Sequence, residues 1–297
     1  MTSPDSDTDF ATAVQALWDL DDNRLSPHED YAINVQRSKH PCDVDDAADD
    51  PLFTRVNESA LEERPTYRAF RKLLDNYIAY AGVGEEVSRE ELNEQRKFLD
   101  DIMETGPMRY LHEYCLAKNA RYNGREVMDD VSDFKGILRN IWFDLYSRSG
   151  GRGTKDSSGF EHVFAGEVKN EKVSGFHNWI MFWLEEKRGN IDYRGYIKPR
   201  SRSSNAETND DDRILTLQFR FNGVEKFVGT SFIGVSPEFE FALYTMAFMR
   251  TLHTGEEDNY VTLDVGGGEA FDLNVKCHIY NGDQIGSCYV EAMAHYD

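Results

Sequence analysis

The sequence predicts an α+β fold, on three observations. Apolar residues recur at three- and four-residue spacing through roughly residues 8–130. The texture shifts at Gly150 toward glycine, aromatics and short β-prone runs, and two helical segments interrupt those runs.

In chain order, Phe10, Val14, Leu17 and Trp18 mark a first helix, and Tyr67, Phe70, Leu73, Leu74 and Tyr77 mark another. Ser88-Arg-Glu-Glu91 is a capping box opening a helix that carries Leu92, Phe98, Leu99 and Ile102. Further helices are expected at Met108–Leu116 and about 133–146, which makes the first half a helical layer. Beyond Gly150, strands are expected at 192–197, 214–221, 261–263, 273–280 and 286–290, with Asn281-Gly282-Asp283 as the hairpin turn between the last two. One interrupting helix follows His177. The other opens at Ser236-Pro237-Glu238, where serine caps, proline suits the first turn and acids favour the positive helix end. Residues 201–213 form a polar stretch expected to be an exposed, mobile loop.

Composition narrows the function. No run of eighteen apolar residues exists and the first residues are acidic and polar, so a membrane span and a secretory leader are not expected, and a cytosolic or nuclear protein is the default. The four cysteines lack metal-ligand spacing, which argues against structural zinc and predicts reduced, mostly buried thiols. A net charge of −21 sits awkwardly with a polyanionic ligand, but residues 135–202 hold thirteen Lys or Arg against eight Asp or Glu. That locally basic stretch contains two unusually framed histidines.

These are His162, in Ser158-Gly159-Phe160-Glu161-His162, and His177, in Ser174-Gly175-Phe176-His177. Imidazoles give and take protons near neutral pH, so a pair can serve as base and acid on opposite sides of one phosphorus. The glycine before each predicts a backbone bend entering or leaving an element. A histidine drawn blindly from the eight present is more often a surface or core residue than a catalyst.

Several segments together carry a resemblance. Trp18-Asp19 to Asn23-Arg24-Leu25, Gly159 to Glu167, Val173 to Trp179, Asp192 to Tyr196 and Phe232 to Tyr244 resemble the EndoU family of uridylate-preferring endoribonucleases, cellular type, over almost the whole chain. The resemblance implies a helical N-terminal part packed on a catalytic part with two antiparallel β-sheets: residues 1–9 a disordered tail, 10–148 the helical region, 149–297 the catalytic region, and 10–297 one continuous domain. It implies His162, His177 and Lys226 as the catalytic set, with Tyr289 packing against the base and Ser287 and Thr230 reading the uracil edge. His177 is taken as base and His162 as acid, with the reverse order left open.

Such a set cleaves by attack of the ribose 2′-hydroxyl, gives a 2′,3′-cyclic phosphate and a 5′-hydroxyl, and leaves DNA intact. The expected partner is single-stranded uridine-containing RNA, and the expected state a monomer. Lys226 borders a predicted strand, where most lysines face solvent, and Tyr289 reads equally as sheet packing. Family members are commonly activated by manganese or calcium, and Glu161 and Glu167 are the candidate ligands, for a conformational or electrostatic effect rather than a metal-bound nucleophile. For Glu161 the competing reading is a carboxylate that orients His162 or a neighbouring loop. Two other functions compete: an RNA-binding module of the same fold with weak turnover, and a metal phosphodiesterase that would also cut DNA.

Overall fold

The structure, a computed structural model, describes residues 3–43, 45–75, 77–80, 82–148, 155–198 and 209–293. In the first half, α1 (Phe10–Asp19) starts where Asp9 accepts the Thr12 N–H, and it buries Phe10, Val14, Leu17 and Trp18. Of the expected disordered tail, residues 3–9 are described, and the Asp5 carboxylate takes the N–H groups of Asp7 and Thr8 there.

Three short strands that periodicity did not announce come next: β1 (Tyr31–Ile33), β2 (Ser38–Lys39) and β3 (Phe53–Val56). They are too brief to show an alternating pattern. The helices α2 (Glu58–Glu63), α3 (Pro65–Leu73), α4 (Arg89–Met103) and α5 (Gly106–Ala117) then pack their apolar stripes inward. The capping box at Ser88 and Glu91 forms as expected. A two-stranded ribbon, β4 (Arg121–Tyr122) with β5 (Arg125–Glu126), leads into α6 (Val131–Phe143).

The second half starts with the π-helical turn Glu161–Ala165 and the hairpin of β6 (Glu167–Lys169) with β7 (Lys172–Ser174). Next come α7 (Trp179–Arg188), β8 (Ile191–Ile197), β9 (Ile214–Phe221) and β10 (Val224–Phe232). The chain closes with α8 (Pro237–Thr254), β11 (Tyr260–Gly266), β12 (Glu269–Tyr280) and β13 (Gln284–Ala292). The larger sheets run in the order β10-β9-β8-β2 and β11-β12-β13. The α+β class holds. The helical layer is less pure than expected, because β2 leaves it to form a parallel edge on β8.

α8 is apolar around most of its circumference, as befits a helix inside a domain, and touches α1, α3 and α5 on one side and β12 and β13 on the other. One hydrophobic cluster consequently runs from Phe10 to Val290. Among the described residues no helix is long and apolar enough to cross a membrane. Cys115, Cys277 and Cys288 are buried free thiols, and Cys42 is exposed. Of the expected loop, 201–208 lie outside the described residues, while Asp210 is pinned through its carboxylate to the Val35 N–H at 3.1 Å.

Candidate active site

His162 and His177 are brought together by their main chains. The Phe176 N–H donates to the His162 carbonyl at 3.2 Å and the His177 N–H to the Val163 carbonyl at 3.0 Å. Such close approach is possible because Gly175 has no side chain: a Cβ there would stand 1.7 Å from the His162 oxygen. Gly175 and Phe176 both adopt positive φ, 66° each, so the expected bend is present before His177. It is absent before His162. That histidine sits inside the π-helical turn, closed by the Gly166 N–H on the Glu161 carbonyl at 2.7 Å. The turn is anchored by Phe160 and Phe164, whose rings pack on Phe70, and Phe164 also meets Trp142 at 5.2 Å.

Lys226 enters from β10. The strand bulges between Lys226 and Gly229, and a Cβ at Gly229 would lie 2.6 Å from Lys226 Cε, so this glycine leaves room for the lysine stem. Lys226 was expected to border a strand. It lies within one, buried, and pairs with no carboxylate among the described residues. Burial pushes its amine down to about 8, which still leaves it charged at neutral pH.

All three side chains line an open cleft of about 630 Å³, together with Thr230, Ser287 and Tyr289. Tyr289 stacks on the His177 ring, centroids 5.0 Å apart and planes within 12°. The Thr230 hydroxyl bonds the Thr216 hydroxyl at 3.0 Å. Two lining residues escaped the sequence reading. Arg148 reaches Glu167 at 3.3 Å and lies 3.5 Å from His162 Nε2, and its only sequence signal was the local excess of basic residues. His278 sits directly opposite Ser287 across the hairpin and bonds Glu257 at 2.8 Å; the register shifts between His278 and Ile279, so counting pairs back from the predicted turn would have set His278 against Gly286 instead.

The two imidazoles are backed differently. His162 Nδ1 lies 2.9 Å from the Glu167 carboxylate, whereas His177 Nδ1 lies 3.1 Å from the Thr230 carbonyl. A carbonyl only accepts, so Nδ1 of His177 carries the proton and its Nε2 presents a lone pair. Burial lowers the proton affinity of both rings. Burial and then Lys226 push His177 well below the ordinary range. For His162 the drop from burial is partly opposed by Glu167. Burial would raise Glu167, but its bond to His162 and the charge of Arg148 outweigh it and hold the carboxyl down.

Glu161 and Glu167, expected to act together on a cation, do not converge. Glu167 is engaged by His162 and Arg148. Glu161 turns away from the cleft into a separate acidic cavity, accepts from the Ser158 hydroxyl at 2.8 Å, and is raised well above its ordinary value by burial and by the Glu85 carboxyl beside it. Among the described residues no group of three or more His, Cys, Asp or Glu is arranged to hold a metal ion.

Comparison with known proteins places this geometry. Residues 9–290 match the family described as endoribonuclease XendoU. The chain is 43% identical over 279 residues to the poly(U)-specific endoribonuclease of Xenopus tropicalis, covering 92% of this chain and 89% of that one. It is 39% identical over 291 residues to uridylate-specific endoribonuclease B of Danio rerio, covering 96% of each. A solved structure of XendoU, titled a splicing independent snoRNA processing endoribonuclease, superposes with a TM-score of 0.81 at 40% identity, over 97% of this chain and 98% of that one.

Proposed function

The chain belongs to the XendoU endoribonuclease family, and from that premise we infer an enzyme that cuts single-stranded RNA at uridines. We propose that the RNA's own 2′-hydroxyl attacks the adjacent phosphorus and displaces the 5′-oxygen, leaving a 2′,3′-cyclic phosphate and a 5′-hydroxyl. DNA, which lacks the nucleophile, is left uncut. The observation that carries this reading is one cleft in which two imidazoles with opposite backing face a buried ammonium.

His177 is the base. Its Nδ1–H is fixed on the Thr230 carbonyl and its environment disfavours protonation, so a neutral Nε2 stands ready to take the 2′-hydroxyl proton. His162 is the acid, because Glu167 behind it favours the imidazolium that must hand a proton to the leaving oxygen. An incoming phosphate draws on the charges of Arg148 and Lys226, which otherwise oppose protonation of His162. Those two cations also offset charge that builds on the phosphoryl oxygens. Tyr289 offers a ring for the base, and Ser287 and Thr230 offer hydroxyls for the uracil edge.

A divalent cation, manganese or calcium, is assigned an activating role, and no chemical step is routed through it. The enzyme is proposed to work as a monomer in the cytosol or nucleus. End-group analysis of a cleaved oligoribonucleotide tests the reading. A cyclic phosphate that disappears when the uridine is 2′-deoxy supports it, whereas a 5′-phosphate product contradicts it.

A further inference from the structure

A stacking ring and two hydroxyls do not by themselves tell uracil from cytosine. Uracil presents an N3–H donor between two carbonyls, whereas cytosine presents N3 as an acceptor beside an amino group. A hydroxyl donates or accepts as it rotates, so Ser287 and Thr230 can satisfy either pyrimidine. Telling the two apart takes a group whose polarity is fixed.

His278 lines the same cleft and has that property. It lies directly opposite Ser287, so the two side chains share a face of the sheet with their Cβ atoms about 5 Å apart, and its ring centroid stands 6.1 Å from that of Tyr289. His177 covers one face of the Tyr289 ring at 5.0 Å, which leaves the other for a base. A base that stacks there and reaches Ser287 comes within range of His278. Nδ1 of His278 lies 2.8 Å from the Glu257 carboxylate, on the segment between α8 and β11. A carboxylate only accepts, so Nδ1 carries the proton and, in the neutral ring, Nε2 presents a lone pair. Neighbouring polar groups on this wall are engaged elsewhere: Tyr280 donates to the Ser147 carbonyl at 2.7 Å, and Lys276 is held by Asp258 and Glu291 at 3.6 and 3.3 Å. The His278 side chain is 41% exposed, so a ligand can reach it.

We propose that His278, held in one tautomer by Glu257, accepts the N3–H of uracil and sets the preference for uridine over cytidine. Cytosine would bring its N3 lone pair against that of Nε2, two acceptors with no proton between them. His278 touches the base and none of the reacting atoms. The assignment rests on the cleft being the RNA site proposed above, and it adds the residue that chooses between the two pyrimidines.

Calorimetric titration of the full-length protein with uridine 3′-monophosphate and with cytidine 3′-monophosphate reads the preference without turnover. The kcat/KM values for oligoribonucleotides that differ only in one uridine or cytidine read it with turnover. His278→Ala should weaken the uridine ligands about tenfold and the cytidine ligands little, which narrows both ratios about tenfold. Glu257→Gln should narrow them from the other side, through a rise of about threefold at cytidine, because a glutamine amide donates as well as accepts and so admits the tautomer that offers cytosine N3 an N–H. A gain at cytidine does not arise from damaged folding, so Glu257→Gln decides alone if His278→Ala fails to fold by circular dichroism. Ratios that neither variant changes would overturn the proposal, as would the absence of any preference in the unmodified protein. Equal losses at uridine and cytidine in His278→Ala, the pattern of a phosphate contact, would overturn it too. Failure of the cleavage reading shows separately: nucleotide ratios that narrow as expected while the oligoribonucleotides stay uncut leave His278 as the reader of the base and remove the reaction.

Discussion

His162 and His177 follow the same Ser-Gly-Phe triplet, yet the fold supports them by different means. His162 rides on a π-helical turn set in aromatic packing and rests against a carboxylate, whereas His177 follows two left-handed residues and rests against a carbonyl. A carboxylate stabilises an imidazolium and a carbonyl only fixes a tautomer, so nearly identical local sequence yields an acid in one place and a base in the other. The difference lies in which remote residue the backbone brings behind each ring.

Removing either ring is the bluntest way to probe that contrast. His162→Ala and His177→Ala should each lower kcat about 10²- to 10⁴-fold in single-turnover cleavage of a uridine oligonucleotide, with little change in binding. Lys226→Met should cost about 10²- to 10³-fold in kcat. The same change should raise the melting temperature, because burying the charged amine, whose value falls from 10.5 to about 8, costs roughly 3 kcal/mol at neutral pH and below, a cost that fades as pH rises from about 8 toward 10.5. Equal or lower stability of Lys226→Met would mean that the lysine is better solvated than its position implies.

Glu167→Gln separates the two histidines more finely. It should reduce kcat about 10- to 100-fold and move the alkaline limb of the pH–rate profile to lower pH, since Glu167 holds the His162 proton affinity up and its loss lets the acid deprotonate sooner. The acidic limb, set by His177, should stay in place. A shift of that limb instead would reverse the assignment. Tyr289→Ala should have the smallest effect, raising KM by the equivalent of about 1 to 3 kcal/mol if the ring stacks on a base rather than only on His177.

Much of this was legible in the chain. The three-four spacing of Phe10, Val14 and Leu17, the box at Ser88 and Glu91, and the turn at Asn281-Gly282 are local signals, and the structure realises each locally. What escaped was non-local or had too little length to show a period. β2 spans two residues and is a strand only because β8 lies beside it. Neighbouring residues on a helical turn project in different directions, so Glu161 and His162 face different cavities although they are adjacent in sequence. Arg148 reaches Glu167 across nineteen residues, and Asp21 meets the start of α8 across more than two hundred, distances over which spacing carries no information.

The assignment of acid and base is tested most directly with a uridine substrate whose bridging 5′-oxygen is replaced by sulfur, a leaving group that departs without a proton. On that substrate His162→Ala should recover to within about tenfold of the unmodified enzyme while His177→Ala remains impaired. Recovery of His177→Ala, or of neither variant, would contradict the opposed roles drawn from Glu167 and the Thr230 carbonyl.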